Sequence, residues 1–282
     1  MAFKDLLLAL TSYPEPTPLS AADEAIAFAA ALGARISAVA CEIRFQMPGS
    51  PFGKTLLDVS AMAAGESKKS LANAEQLLVT FQAAAEKQGV FQDRLLERCL
   101  RSELPRLLVE LARLRDLTII PVPAEGHNEQ SLAEAVVFGS GRPVVVLPCS
   151  RTRAGAFALD SVIVAWDFSR PASRAVADAL PILEKAKQVC VVTVTNEKPM
   201  DAKRSAAELA KHLSRHRIDV ALETVDAAGR SIGEVLESCA NSRRADLLVM
   251  GAYGHSRLRE FILGGATRSM LSRPPVPVLL SH

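Results

Sequence analysis

The chain repeats itself, and no other feature restricts its fold as much. "KDLLLALTSYPEP" and "DSVIVAWDFSRPAS" share one plan: a short polar lead, five largely apolar residues, then a turn rich in Ser, Thr and Pro. An alanine-rich helical segment follows in both, "SAADEAIAFAAALG" and "RPASRAVADALPILEKA", and then a second apolar strand, "ARISAVAC" and "QVCVVTV". Further on, "RSELPRLLVELARLRDLTIIP" matches "RSIGEVLESCANSRRADLLVMG", and each half closes with a proline-headed run, "RPVVVLP" and "PPVPVLL". Apolar strands alternating with longer helices, twice over, predict α/β architecture: two tandem doubly wound domains, each with a parallel sheet covered by helices on both faces. The polar, glycine-containing stretch "CSRTRAGAFALD" predicts the boundary, giving domains 1–152 and 153–282. The first half also carries "EIRFQMPGSPFGKTLLDVSAMAAGES" between its second strand and second helix, which reads as an extra surface loop.

Composition removes several classes of function. Charged residues are 23% of the 282, the formal net charge is +2, and aromatic residues are 5%. Scattered basic residues and so few rings give neither an electrostatic footprint nor a stacking platform for nucleic acid. No apolar run approaches the roughly 20 residues that cross a bilayer, so no membrane association is expected and a cytoplasmic location is the default. Five cysteines, Cys41, Cys99, Cys149, Cys190 and Cys239, form no C-x-x-C pair, and neither a disulfide framework nor a zinc site is expected. Cys41 and Cys190, in or beside strand-like runs, read as small buried hydrophobes.

The residues that point to a ligand lie in the second half. In an open parallel sheet, ligands bind beyond the carboxyl ends of the strands, where the winding direction reverses. The first strand there ends in Asp167, an acceptor suited to a ribose or an adenine edge. The fourth ends in "GAYGHSRLREFILGGATRSM", where Gly251 and Gly254 would let the backbone approach a sugar. Gly264, Gly265, Ala266 and Thr267 stand where a helix begins, and free N–H groups with the helix dipole favour phosphate there. Blander readings attach to each: Asp167 as a helix cap, the glycines as turns, and Leu258, Phe261 and Ile262 as core contacts at helical spacing. His255 and Arg257 read equally as phosphate contacts or as solvated loop charges.

Gly-x-x-Gly, nine residues, then Gly followed by Ser or Thr resembles the nucleotide-binding signature of the universal stress proteins. The Asp after the first strand, the strand–helix order and the doubling resemble that family's tandem form. The resemblance implies a five-stranded sheet ordered 3-2-1-4-5 in each half, with ATP across the ends of strands 1 and 4. It also implies a binding and regulatory protein, not a metabolic enzyme, whose single-domain relatives dimerise. The two halves would then form an intramolecular pseudo-dimer, while a homodimer of the whole chain and a protein partner are both compatible with the sequence. One position departs from the pattern. Gly265 replaces the Ser or Thr, and a missing hydroxyl lowers phosphate affinity a few-fold to about tenfold. ATP binding is therefore expected to be weak, with Thr267 as a substitute hydroxyl.

The first half departs further. Thr11 stands opposite Asp167, Pro121 opposite Gly251 and Ala124 opposite Gly254, and proline closes the backbone conformations open to glycine. "FGSGRP" lies directly before the last strand, too late for a helix start. This half is expected to keep the fold and lack the nucleotide.

Two decoys are set aside. "GSPFGKT", Gly49 to Thr55, has three residues between its glycines where a phosphate-binding Walker loop has four. His212 and His216, spaced i, i+4, lie in a basic run that disfavours a cation. The sequence contains no recognisable catalytic motif, so at most slow ATP hydrolysis is expected. The rival readings are an interaction module of the same fold, working through loop 45–65 or a sheet edge, and a slow nucleotide hydrolase.

Overall fold

The computed structural model describes residues 2–45, 56–124, 127–149, 157–195, 202–252 and 265–282. The first half runs β1 (Asp5–Leu10), α1 (Leu19–Leu32), β2 (Arg35–Arg44), α2 (Leu56–Lys87), β3 (Phe91–Leu100), α3 (Leu104–Arg113), β4 (Leu117–Val122), α4 (His127–Gly139) and β5 (Val144–Pro148). The second runs β6 (Ser161–Ala165), α5 (Arg170–Leu183), β7 (Gln188–Thr195), α6 (Ala202–Arg215), β8 (Val220–Asp226), α7 (Ile232–Ser242), β9 (Leu247–Gly251), α8 (Gly265–Ser272) and β10 (Val278–Ser281). The predicted extra loop is shorter than its composition suggests. Glu42 to Arg44 extend β2, and α2 begins at Leu56, since the run "LLDVSAMAAGES" has enough good helix formers to propagate. The surface-loop reading of 45–65 therefore narrows; Gly49 to Thr55 and most of the interdomain stretch lie outside the described residues.

Each half winds its strands in the order 3-2-1-4-5, as the family resemblance implies. The two sheets also join. β5 and β10 pair antiparallel, Val144 opposite Leu280 and Val146 opposite Val278, giving one ten-stranded sheet ordered β3-β2-β1-β4-β5-β10-β9-β6-β7-β8. Each half presents the same outer strand to the other, which is the self-complementary arrangement of a two-fold dimer built within one chain. Alternation along the strands then creates two cores. Leu6, Leu8, Val162 and Val164 pack beneath α1, α2, α5 and α6, whereas Leu7, Ile120, Ile163 and Met250 pack beneath α3, α4, α7 and α8.

The repeat extends to polar contacts at the starts of the strands. Asp116, just before β4, accepts from the backbone N–H of Lys4 and Asp5 at 2.8 and 3.1 Å. Asp246, just before β9, accepts from Asp160 and Ser161 at 2.7 and 2.9 Å. In both halves a carboxylate anchors the start of strand 1 to the start of strand 4. Contacts between the halves flank the sheet junction. Lys185 Nζ donates to Leu32 O at 2.9 Å and Ala31 O at 3.3 Å, the last carbonyls of α1, and Phe28 meets Phe157 edge-on at 5.0 Å. On the other face, α4 packs on α8, and Phe138 lies edge-on to His282 at 4.8 Å.

Candidate functional site

Strands 1 and 4 separate at their carboxyl ends in both halves. The last aligned pair is Leu8 with Ile119 in the first half and Val164 with Val249 in the second. Counting onward from those pairs places Thr11 opposite Asp167 and Pro121 opposite Gly251, the correspondence expected from sequence. The opening lies where α/β sheets bind ligands.

Asp167 lies at this opening in the second half and is exposed. Its Oδ1 accepts from Ser169 N at 3.0 Å, and Ser169 Oγ in turn accepts from Ala172 N at 3.2 Å as the N-cap of α5. The helix cap is thus Ser169, and Asp167 braces the turn before it. Among the described residues Asp167 Oδ2 has no hydrogen-bond partner. Phe168 holds a left-handed backbone (φ 58°) and leans on Trp166, whose ring belongs to the core beneath α5. The aromatic pair therefore faces away from the crevice, which opens on the α7 and α8 side.

Gly251 has a reason of its own to be glycine. A Cβ there would stand 2.4 Å from Ala172 N and 2.5 Å from the Pro171 carbonyl carbon, in the first turn of α5. This side of β9 is the α5 face, the same side as Val249. Its N–H points the other way from those of Leu248 and Ala252, which bond to Pro277 O and Ser281 O, so it is directed toward the gap left by β6. Pro121 is tolerated for the matching reasons. Its missing N–H would face beyond the last paired residue of β1, and no ladder bond is lost. The link from β1 to α1 is also longer, closed by reciprocal 2.8 Å hydrogen bonds between Thr11 and Thr17, whereas α5 starts at Arg170.

At the far side of the crevice, Gly265 is the first described residue of α8 and is exposed, with open space where its Cβ would be. Ala266 is half-buried against the core, and Thr267 is 3% exposed. The three do not form one surface: Gly265 faces out while the Thr267 side chain is turned inward. Gly254 and Gly264, with His255, Arg257, Leu258, Phe261 and Ile262, lie outside the described residues. Helix α7 supports α8 closely, since a Cβ on Gly233 would come within 2.7 Å of Ser269 Oγ.

The equivalent crevice in the first half is filled. Its walls are Thr11, Tyr13, Cys41, Leu104, Leu108 and Leu132, among others, and the accessible space is about 20 Å³, room for one water. Tyr13 meets Phe45 edge-on at 4.9 Å, Ser12 shares hydrogen bonds with Ser70 and the Cys41 carbonyl, and Asn73 Nδ2 donates to Ser12 O at 3.0 Å. Helix α2 thereby fastens the end of β1 in place.

The remaining sequence candidates are quieter. Cys41 and Cys190 are buried, and burial raises both thiols, that of Cys190 to about 11; desolvation likewise lifts Cys149 to about 12. The rings of His212, on α6, and His216, just past its end, meet edge-on at 5.0 Å, and no group of three potential metal ligands exists among the described residues. No helix among them is long and apolar enough to cross a membrane. Sequence reasoning missed Ser169, the N-cap of α5, and Pro171, which packs against the end of β9.

Comparison with known proteins places this geometry. The model of the Universal stress protein family matches residues 159–282. A universal stress protein of Synechocystis sp. is 29% identical over 160 residues, 55% of this chain and 52% of the relative, so the match spans about half of that protein's length. Among solved structures, a universal stress protein from Archaeoglobus fulgidus superposes with TM-score 0.68 at 16% identity, covering 98% of this chain and 95% of its own. A candidate universal stress protein from Pseudomonas aeruginosa gives TM-score 0.58 at 12% identity, covering 99% and 93%. Both likenesses extend over the two halves and concern the fold alone. Residues 159–282 thus match the model of the universal stress protein family, and the fold that this half shares with those solved structures is present twice in the chain.

Proposed function

We propose that the chain is a nucleotide-responsive regulatory protein of the stress response, whose second half binds ATP or another adenine nucleotide weakly and whose first half is its built-in partner. The observation that supports this most is the contrast between the crevices. The first is packed down to about 20 Å³, while the second has an exposed carboxylate at one side and an exposed helix start, Gly265, at the other. Asp167 would accept from the ribose or base, Gly251 would offer its N–H from β9, and Gly265 and Ala266 would offer theirs to phosphate. Gly254 and Gly264 complete the motif. Thr267, being buried, is a poor substitute for the missing hydroxyl, which leaves phosphate to the backbone and keeps affinity low.

The test is mass spectrometry of small molecules that co-purify with the full chain, followed by ATP titration calorimetry on wild type and Asp167→Ala. Bound ATP or ADP, with titration heat lost in the variant, is the expected result. A wild type silent up to millimolar ATP would overturn the reading and leave the interaction module as the better one.

A further inference from the structure

Among the described residues the ten-stranded sheet ends in two open edges, β3 in the first half and β8 in the second. An open edge presents a row of unpaired N–H and C=O groups, and an edge that is not used is commonly guarded by charge or a bulge. β3 is guarded in both ways. Its register against β2 shifts between Ile36 and Ser37, and Asp93, Arg94, Glu97 and Arg98 stand along it. β8 is not. It pairs with β7 without a shift, contains neither lysine, arginine nor proline, and leaves Leu222 46% exposed.

The ladder determines which groups of β8 face outward. Ala227 N donates to Thr195 O at 3.2 Å, and in a parallel pair alternate residues turn both N–H and C=O toward the same neighbour. Odd-numbered residues of β8 thus face β7, and Val220, Leu222 and Thr224 offer their backbone groups to the open side. The Leu222 side chain shares the face of Val191, which belongs to the core beneath α6, and Val220 packs against that core.

Charge decides whether such an edge can take a copy of itself. Identical strands related by a two-fold axis run antiparallel, and because paired side chains share a face, the residue at the axis meets its own copy. Along the charged stretch of β3 every such register sets like charges opposite. Arg94, Glu97 or Arg98 meets itself, Asp93 meets Glu97 when Leu95 is central, and Arg94 meets Arg98 when Leu96 is central. Along β8 a central Leu222 avoids this. Leu222 then faces Leu222, Val220 faces Thr224, and Ala221 faces Glu223, whose carboxylate already accepts from Arg243 Nη2 at 2.6 Å. Val220, Leu222 and Thr224, all outward-facing, become hydrogen-bonded pairs, and the exposed leucine is covered. The other centres are worse. Ala221 would oppose Asp219 to Glu223, Glu223 would oppose two carboxylates, and Thr224 would set Leu222 against Asp226.

We infer that two copies of the chain join through β8, antiparallel about a two-fold axis at Leu222, into a single continuous sheet. This goes beyond the nucleotide reading and does not depend on it. The junction repeats between chains the antiparallel edge pairing that β5 and β10 make within one.

The experiment follows the full chain by sedimentation velocity over a concentration series, with Leu222→Lys, Leu222→Glu, Thr224→Lys and, on β3, Leu96→Lys. Wild type should sediment as a concentration-dependent dimer. Leu222→Lys and Leu222→Glu should each raise the dissociation constant about tenfold or more, since each places like charges at the axis. Mixed in equal amounts the two should dimerise again, which a folding defect would not allow. Thr224→Lys and Leu96→Lys should stay within about threefold of wild type. A wild type that stays monomeric throughout, or Leu222 variants that dimerise as well as it does, would overturn the inference. A mixture that fails to dimerise would overturn the placement at Leu222, as would a dimer lost only in Thr224→Lys or Leu96→Lys.

Discussion

The two halves have one fold and opposite crevices. In the first, a long link after β1 folds back through Thr11 and Thr17, α2 fastens it through Ser70 and Asn73, and the space behind it closes around Tyr13 and Phe45. In the second, a short link braced by Asp167 and Ser169 brings α5 hard against the end of β9. The same architecture thus accepts a proline at one strand end and demands a glycine at the other. The lesson is that a motif glycine answers to its own packing as well as to a ligand, and the two demands separate only when both halves can be compared.

The strongest way to break this comparison is to exchange the strand-end residues. Gly251→Ala drives a Cβ into the backbone of α5, where no flexible side chain can give way, and should cost about 3 kcal/mol or more by overpacking. Chemical denaturation should reveal it as a lowered midpoint with unchanged slope. Unaltered stability would mean that α5 is not seated as described. A second exchange should affect the halves alike. Asp246→Ala strands two backbone N–H groups beneath a nearly buried site and should cost about 2 to 3 kcal/mol, with Asp116→Ala somewhat less because it is more exposed. Thermal unfolding of both variants reads this, and a loss confined to one half would deny that the clamps are equivalent. The smallest effect tests affinity. Gly265→Ser meets open space, so the hydroxyl enters without strain and should tighten ATP a few-fold to about tenfold by calorimetry.

Much of this was legible before any coordinates. The spacing of apolar runs carries the strand–helix alternation, because a buried parallel strand must be apolar along its length and a crossover helix must follow it. Matching the repeats also paired Thr11 with Asp167 and Pro121 with Gly251, and the ladder registers agree. Less legible was everything that depends on a neighbour distant in sequence. "LLDVSAMAAGES" reads as loop because its small and polar residues fit either state, and its helical state is supported by a packed segment further along α2, where Ala74, Leu77 and Phe81 enter the core. Thr267 looked like a phosphate hydroxyl because sequence gives its position on a helix without the direction of its side chain relative to the sheet.

By itself, then, the sequence determined the duplicated α/β fold, the order of its elements and the asymmetry between a half that retains a ligand motif and one that does not. These follow from composition and period, which act locally. Tertiary structure alone decided that β5 and β10 join two sheets into one, that Gly251 is required by α5 and that the first crevice is filled. Each of these is a contact between segments far apart along the chain, set by close packing and hydrogen-bond geometry to a fraction of an ångström, and no local pattern records a distance of that kind.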